Sequence, residues 1–211
     1  MKPLKTELQD AETLRDLGSA SVQIVHDLKN QLNGLKLYAT FLRKRMEKAE
    51  RPADEQETVG KLISGLERAA ADMTVLVRYG RPLELRRQPG ADLARLVADS
   101  ADGARFESDG GTFEGDFDPA LLAEALKSIT AGASAGADDG GTTVRLRGEG
   151  AGAVVEWLGP GAAVAEGEDP FRSLAGATGL RMALAARIVR AHGGEVSHEG
   201  GRISARLPLQ K

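Results

Sequence analysis

The 211-residue sequence predicts a chain that is α first and α+β afterwards: a helical segment over 1–82, then a mixed-sheet domain over 83–211. Three observations predict that order. Residues 7–80 carry apolar residues at helical spacing and little glycine, whereas most of the 26 glycines lie after position 100. Beyond Pro82, short strand-like runs alternate with Gly/Ala/Asp-rich loops. Helical patterns interrupt those runs without the strict alternation of a parallel βαβ sheet, so an α/β sandwich with helices on one face is expected.

In the first segment Leu14, Leu17, Ser21, Ile24, Leu28, Leu35, Tyr38 and Leu42 recur at steps of three, four or seven. That is a coiled-coil-like seam of about four heptads. Val59, Leu62, Leu66, Ala69, Met73 and Leu76 repeat the pattern after the break "EKAERPADEQ" around Pro52. Asp54 or a neighbour opens this second helix, and Pro82 after Gly80 closes it. An antiparallel hairpin cannot bury two such stripes by itself. Pairing two hairpins into a dimeric four-helix bundle does, so a homodimer is expected. The alternative is a monomeric hairpin packed on its own C-terminal domain.

In the second segment the candidate strands are 83–87 (LELRR), 104–108, 111–117, 142–148, 153–158, 194–199 and 202–209. The candidate helices are 90–101, 119–136 and 178–192.

Composition narrows the function. There is no cysteine, which excludes disulfides, thiolate metal sites and cysteine nucleophiles. A formal net charge of -3 gives no reason to expect nucleic acid or an anionic membrane. Aromatic residues make up only 4% of the chain, with one tryptophan, too few for a base-stacking platform. No apolar run approaches the ~20 residues of a membrane span, and MKPLKTELQD lacks a signal-peptide core, so a cytoplasmic protein is expected.

One polar stretch breaks the first helix's pattern: "VHDLKNQLNGL", residues 25–35. A helix turns about 100° per residue, so His26, two residues from the seam positions Ile24 and Leu28, faces away from the seam. It shares a polar line with Ser19, Gln23, Asn30 and Asn33. Adjacent Asp27 can accept one imidazole N–H, fixing the tautomer that leaves the other nitrogen nucleophilic. Asn30, one turn on, is placed to orient a water or phosphoryl oxygen. Leu37 lies further along the same line with Phe41 flanking it. The pair is either a docking patch or faces another helix of the same bundle.

"HDLKNQL" after "SVQIV" resembles the H-box of two-component histidine kinases, roughly H-[ED]-x-x-[NT]-P-L. The resemblance implies that His26 is the phospho-acceptor, that Asp27 is its acid/base and that Asn30 positions water in phosphatase reactions. Gln31 stands where the family has proline, so no kink is expected there. The likeness extends over about nine-tenths of the chain. "FDPALLAEALKSITAGASAGA" resembles the N-box of the kinase ATPase domain, "VVEWLGPG" its G1 box, "DPF" its F-box and "ATGLRMALAARIVRAHGGEV" its G2 box. "GGRISARLPL" resembles the last strands.

The nucleotide residues have changed. Ser128 and Gly132 stand at the two N-box asparagines, and glycine offers a metal no ligand. Trp157 replaces the aspartate that reads adenine. Arg181 stands at a glycine of the phosphate loop, where bare backbone N–H groups are needed. The stretch from Phe171 to Gly179 is short for a nucleotide lid. The resemblance therefore implies a degenerate ATPase-type domain with no cofactor or metal of its own, closest in plan to the dimeric histidine phosphotransferases of the ChpT kind. The expected partners are a second copy of the chain, response-regulator receiver domains that bring their own Mg2+, and an upstream hybrid histidine kinase. A diverged kinase retaining weak ATP use and a non-catalytic receiver-binding regulator or phosphatase are the alternatives. His192 is expected to cap a helix end before Gly193 and Gly194. His198 has no evident ligand partner, and Arg43, Lys44 and Arg45 read as a solvated helix face.

Overall fold

The structure is a computed structural model that describes residues 25, 28–46, 53–135, 141–162, 169–174, 176–199 and 201–210. The boundary between its two compact units falls between Arg81 and Pro82.

The first unit contains helix α1 over 28–46 and helix α2, Ala53–Gly80. α1 runs through Gln31 without a break, as expected once the proline is absent. Within the chain it is Ala39 of α1 and Ile63 of α2 that are buried, at 3% and 6% exposure. Lys36 Nζ of α1 lies 2.8 Å from Glu67 Oε1 of α2. The seam residues are in a different position. Leu28, Leu35, Leu42 and Leu62 are each 40–53% exposed and Tyr38 is 68% exposed. On α1, the seam flanks the Ala39 side, turned from it by about 20° at Leu28 to about 100° at Tyr38. α2 stops at Gly80, just before Pro82, where the sequence placed its end.

The second unit is α+β. Its elements run β1 (Gln88–Asp92), α3 (Leu93–Ser100), β2 (Arg105–Ser108), β3 (Glu114–Phe117), α4 (Pro119–Ala133), β4 (Thr143–Glu149) and β5 (Gly152–Leu158). A short 3₁₀ turn, Pro160–Ala162, follows, then α5 (Gly176–Ala191), β6 (Glu195–Glu199) and β7 (Arg202–Pro208). Five strands form a mixed sheet in the order β2-β4-β5-β7-β6, with β2 and β4 parallel and the other pairs antiparallel. β1 and β3 form a separate two-stranded ribbon.

Alternation along the central strands sends Val144, Leu146, Ala153, Val155, Trp157, Ile203, Ala205 and Leu207 to one face, where all are fully buried. Against them pack Leu122, Leu126 and Ile129 of α4 and Ala186 and Val189 of α5. The other face is ionic. Glu156, 6% exposed, is covered by Arg202 at 3.1 Å and Arg147 at 3.6 Å.

Two expected elements differ. Residues 83–87 form no strand, and the strand lies at Gln88–Asp92 instead. "LELRR" is held by tertiary bonds rather than by a neighbouring strand: Arg86 N–H donates to Asp118 Oδ2 (2.8 Å), and Arg87 donates to the carbonyls of Asp116 (3.2 Å) and Ala191 (3.0 Å). The helix expected from 90 starts at Leu93, because Asp92 Oδ1 accepts the N–H groups of Ala94 (2.9 Å) and Arg95 (3.2 Å) and so caps it there.

Candidate functional site

Two regions bear on function, one in each unit. In the helical unit, His26 and Asp27 lie outside the described residues. Asn30 and Asn33 are described and exposed. Leu37 and Phe41 are 55% and 56% exposed. α1 therefore carries two separate apolar strips besides its buried side. One is the seam through Leu35, Tyr38 and Leu42. The other, through Leu37 and Phe41, lies on the line His26 shares by spacing. Lys44 and Arg45 are exposed near the end of the same helix.

In the second unit, the end of α4, the 3₁₀ turn, residues 169–174 and the start of α5 surround a cavity of ≈ 570 Å³. Its apolar wall comes from Ala135, Pro170 and Met182, and its polar groups from Asp169, Arg172, Ser173 and Thr178. Two glycines make this geometry possible. A Cβ on Gly132 would meet Met182 Sδ at 2.6 Å, so a larger residue there requires the Met182 side chain to move. A Cβ on Gly179 would meet the Ser173 carbonyl oxygen at 2.9 Å, which presses the first turn of α5 against the 169–174 loop.

The four positions singled out in the sequence are dispersed. Gly132 lines the cavity, with Met182 standing over it. Ser128 is half-buried and is not among the described lining residues. Trp157 is fully buried in the core, its indole Nε1–H donating to Thr130 Oγ1 (2.9 Å), while that hydroxyl donates to the Leu126 carbonyl (3.0 Å). Arg181 is exposed and also lies outside the described lining. The side chain that crowds Gly132 is thus Met182, its neighbour. Met182 is not legible as that residue in the sequence, because a methionine beside an arginine on a helix carries no signal of which one points inward. Among the described residues no cluster of three or more His, Asp or Glu can hold a metal.

The other two histidines are structural. His192 is 1% exposed; its Nδ1–H donates to the Ile188 carbonyl (2.8 Å) and its Nε2 accepts the Asp118 N–H (3.0 Å). It caps α5 as expected and also ties that helix to the N-cap of α4. Asp118 in turn accepts the N–H groups of Leu121 (3.0 Å) and Arg86 (2.8 Å). Burial alone would raise its pKa, but these backbone donors, with help from Ala120 and His192, hold it below the usual carboxylate range. His198 Nε2–H donates to the Ala162 carbonyl (2.6 Å), fixing the 3₁₀ turn to strand β6.

A helical unit followed by this mixed sheet with its helices on one face is a histidine-kinase-like fold. ShkA, solved full-length in complex with AMPPNP, aligns with a TM-score of 0.63 at 18% identity, over 90% of this chain and 45% of its own. The histidine kinase ThkA, solved in complex with the response regulator protein TrrA, aligns with a TM-score of 0.64 at 16% identity, over 98% of this chain and 66% of its own. The histidine kinase AdeS of Acinetobacter baumannii aligns with a TM-score of 0.57 at 14% identity, over 83% of this chain and 96% of its own. The chain thus spans less than half of ShkA and about two thirds of the ThkA chain. No family model matches the chain, and no characterised protein sequence matches it. No helix among the described residues is long and apolar enough to cross a membrane.

Proposed function

We propose that the chain is a dimeric histidine phosphotransfer protein that carries a phosphoryl group on His26 between receiver-domain aspartates without using ATP. The observation that carries this reading is the Leu37–Phe41 strip, more than half exposed on the His26 line of α1 and separate from the exposed seam. A helix with one buried side and two exposed apolar strips has surface for two further neighbours. The seam suits a second copy, completing a four-helix bundle from two antiparallel hairpins. The Leu37–Phe41 strip suits a receiver domain, with Asn33 at its edge and the kinase–regulator complex of ThkA and TrrA as a structural parallel. In this reading 1–82 is the dimerisation and phospho-acceptor domain, and 83–211 is a degenerate ATPase-like domain.

The transfer needs little from the chain itself. Asp27 holds one imidazole N–H, and the other ring nitrogen attacks the phosphorus of a receiver's aspartyl phosphate in line. An N–P bond forms, the P–O bond breaks, and the aspartate carboxylate leaves with the electron pair. Charge neutralisation falls to the receiver and its Mg2+, and Asn30 stands one turn away to position a phosphoryl oxygen. The ATP-free part of the reading is supported by Met182 standing over Gly132, where glycine offers a metal no ligand. This pair does not fit a metal-bound triphosphate.

The test is to incubate the protein separately with labelled ATP and with a labelled phospho-receiver domain, comparing wild type with His26→Gln. The expected result is label arriving only from the receiver and only in wild type. A second reading, a diverged kinase, is favoured by the cavity that remains beside Gly132. Label from ATP on His26 would establish it and overturn ours. Regulation of a receiver that persists in His26→Ala would support a non-catalytic regulator instead.

A further inference from the structure

We propose that residues 83–87 form a proton-gated strap, fastened to the α4–α5 corner while His192 is neutral and released when its ring takes up a proton. This goes beyond the phosphotransfer reading and does not rest on it. The strap lies between the end of α2 at Gly80 and the start of β1 at Gln88, wholly within the second unit. It pairs with no described strand; Leu83 and Leu85 are half-buried, and Glu84, Arg86 and Arg87 are exposed. Its polar attachments all end within two residues of Asp118 or His192. Arg86 N–H donates to Asp118 Oδ2 (2.8 Å), and Arg87 donates to the carbonyls of Asp116 (3.2 Å) and Ala191 (3.0 Å). The Asp116 carboxylate adds a longer ion pair to Arg87 at 3.7 Å. A segment held this way opens without disturbing the sheet.

The two bonds of His192 admit only the neutral ring. Nδ1–H donates to the Ile188 carbonyl, so Nε2, 3.0 Å from the Asp118 nitrogen, must accept that N–H. A proton added at Nε2 turns the acceptor into a donor and sets two N–H groups against each other. The Asp118 backbone then moves off, and its carboxylate leaves Arg86. The charged groups facing the ring are Arg87 from the strap, Asp116 from β3 and Asp118 from the α4 cap. Burial first, and then Arg87, oppose the proton; the Ile188 bond and the two aspartates favour it, and the opposition prevails. Opening the corner hydrates the ring and withdraws Arg87, so the open form binds the proton more readily. The attachment is therefore complete above pH 6.5 and weakens below it.

The test is hydrogen–deuterium exchange of the full-length protein, read by NMR at single amides between about pH 7.5 and 5.5 and corrected for the intrinsic pH dependence of exchange. The Arg86 amide is expected to be less protected than that of Val155 in β5, which opens only with the sheet. Its protection is expected to fall roughly fivefold across that range. His192→Gln keeps a donor and an acceptor but does not titrate, and is expected to abolish the fall at Arg86. Arg87→Gln, a change at an exposed side chain, is expected to lower Arg86 protection about threefold at the upper pH and to leave Val155 unchanged. Arg86 protection equal to that of Val155 throughout, or lower but indifferent to pH, would overturn the strap. A fall at Arg86 that survives in His192→Gln would overturn the assignment of the proton to His192.

Discussion

At the scale of single residues, the second unit depends on a few buried polar groups. Trp157 bridges strand β5 and helix α4 through the Thr130 hydroxyl. Trp157→Phe keeps most of the buried area but loses that bond, so we expect a cost of about 1 kcal/mol, against about 3–5 kcal/mol for Trp157→Ala. Urea unfolding of the two variants measures the difference. Gly132 and Met182 form a steric pair. Gly132→Ala is expected to cost about 1–3 kcal/mol alone and distinctly less when combined with Met182→Ala, because the second change removes the sulfur the new Cβ would strike. His192 gives the fold a pH dependence of definite sign. Its pKa is pushed below 6.5, first by burial and also by Arg87, against the opposing pull of the Ile188 bond, Asp118 and Asp116. The unfolded chain therefore takes up a proton first as pH falls. This contribution is complete above pH 6.5 and declines through the window below it, down to the folded value. Asp118 adds a loss of the same sign below 3.8. We expect the urea midpoint to fall between about pH 7.5 and 5, and His192→Asn to flatten that slope. A flat wild-type profile would sink the idea. Little of this was legible in the sequence. His192 and Asp118 are 74 residues apart, and only the tertiary fold brings the α5 end to the α4 cap.

Elements were more legible, and the exceptions have physical causes. Strands β4 and β7 alternate cleanly because one face meets a core and the other meets water, whereas β5, buried along Ala153–Trp157 on both faces, reads as a near-continuous run. β1 reads Gln-Pro-Gly-Ala-Asp and has no such contrast; its register shifts between Gln88 and Ala91, where Gly90 takes φ 73°. A strand defined by backbone pairing with a bulge leaves no apolar pattern to find. In the helices, spacing marked the seam, but the residue buried inside the chain on α1 is Ala39, too small to stand out in any hydrophobic pattern. The two exposed strips of α1 lead to separable outcomes. Leu35→Asp should convert a dimer to a monomer in sedimentation, whereas Leu37→Asp should leave the dimer intact and slow phosphoryl exchange with a receiver roughly tenfold or more. Loss of both properties in both variants would mean that the strips are one surface.

At the scale of the whole molecule, the two units draw stability from different sources. The second has its own core, sealed by Trp157, Phe117 and Leu126. The first leaves Leu35, Leu42 and Leu62 about half exposed, so in our reading its folding is coupled to association. We expect a lower-temperature transition whose midpoint rises with protein concentration and a second one that does not. Coincident transitions at every concentration would contradict this. Composition indicated that the chain has two halves, since glycine and heptads segregate along it. It did not indicate which half stands alone, because that depends on whether an apolar stripe finds a partner inside the chain. The aromatic residues then give each unit its own optical signature. The single tryptophan lies in the α+β core, while both tyrosines, Tyr38 and Tyr79, lie on the helical pair. Emission excited at the red edge reports only the sheet, and tyrosine emission reports mainly the helices. The native protein can thus be observed coming apart in two colours, with no label attached.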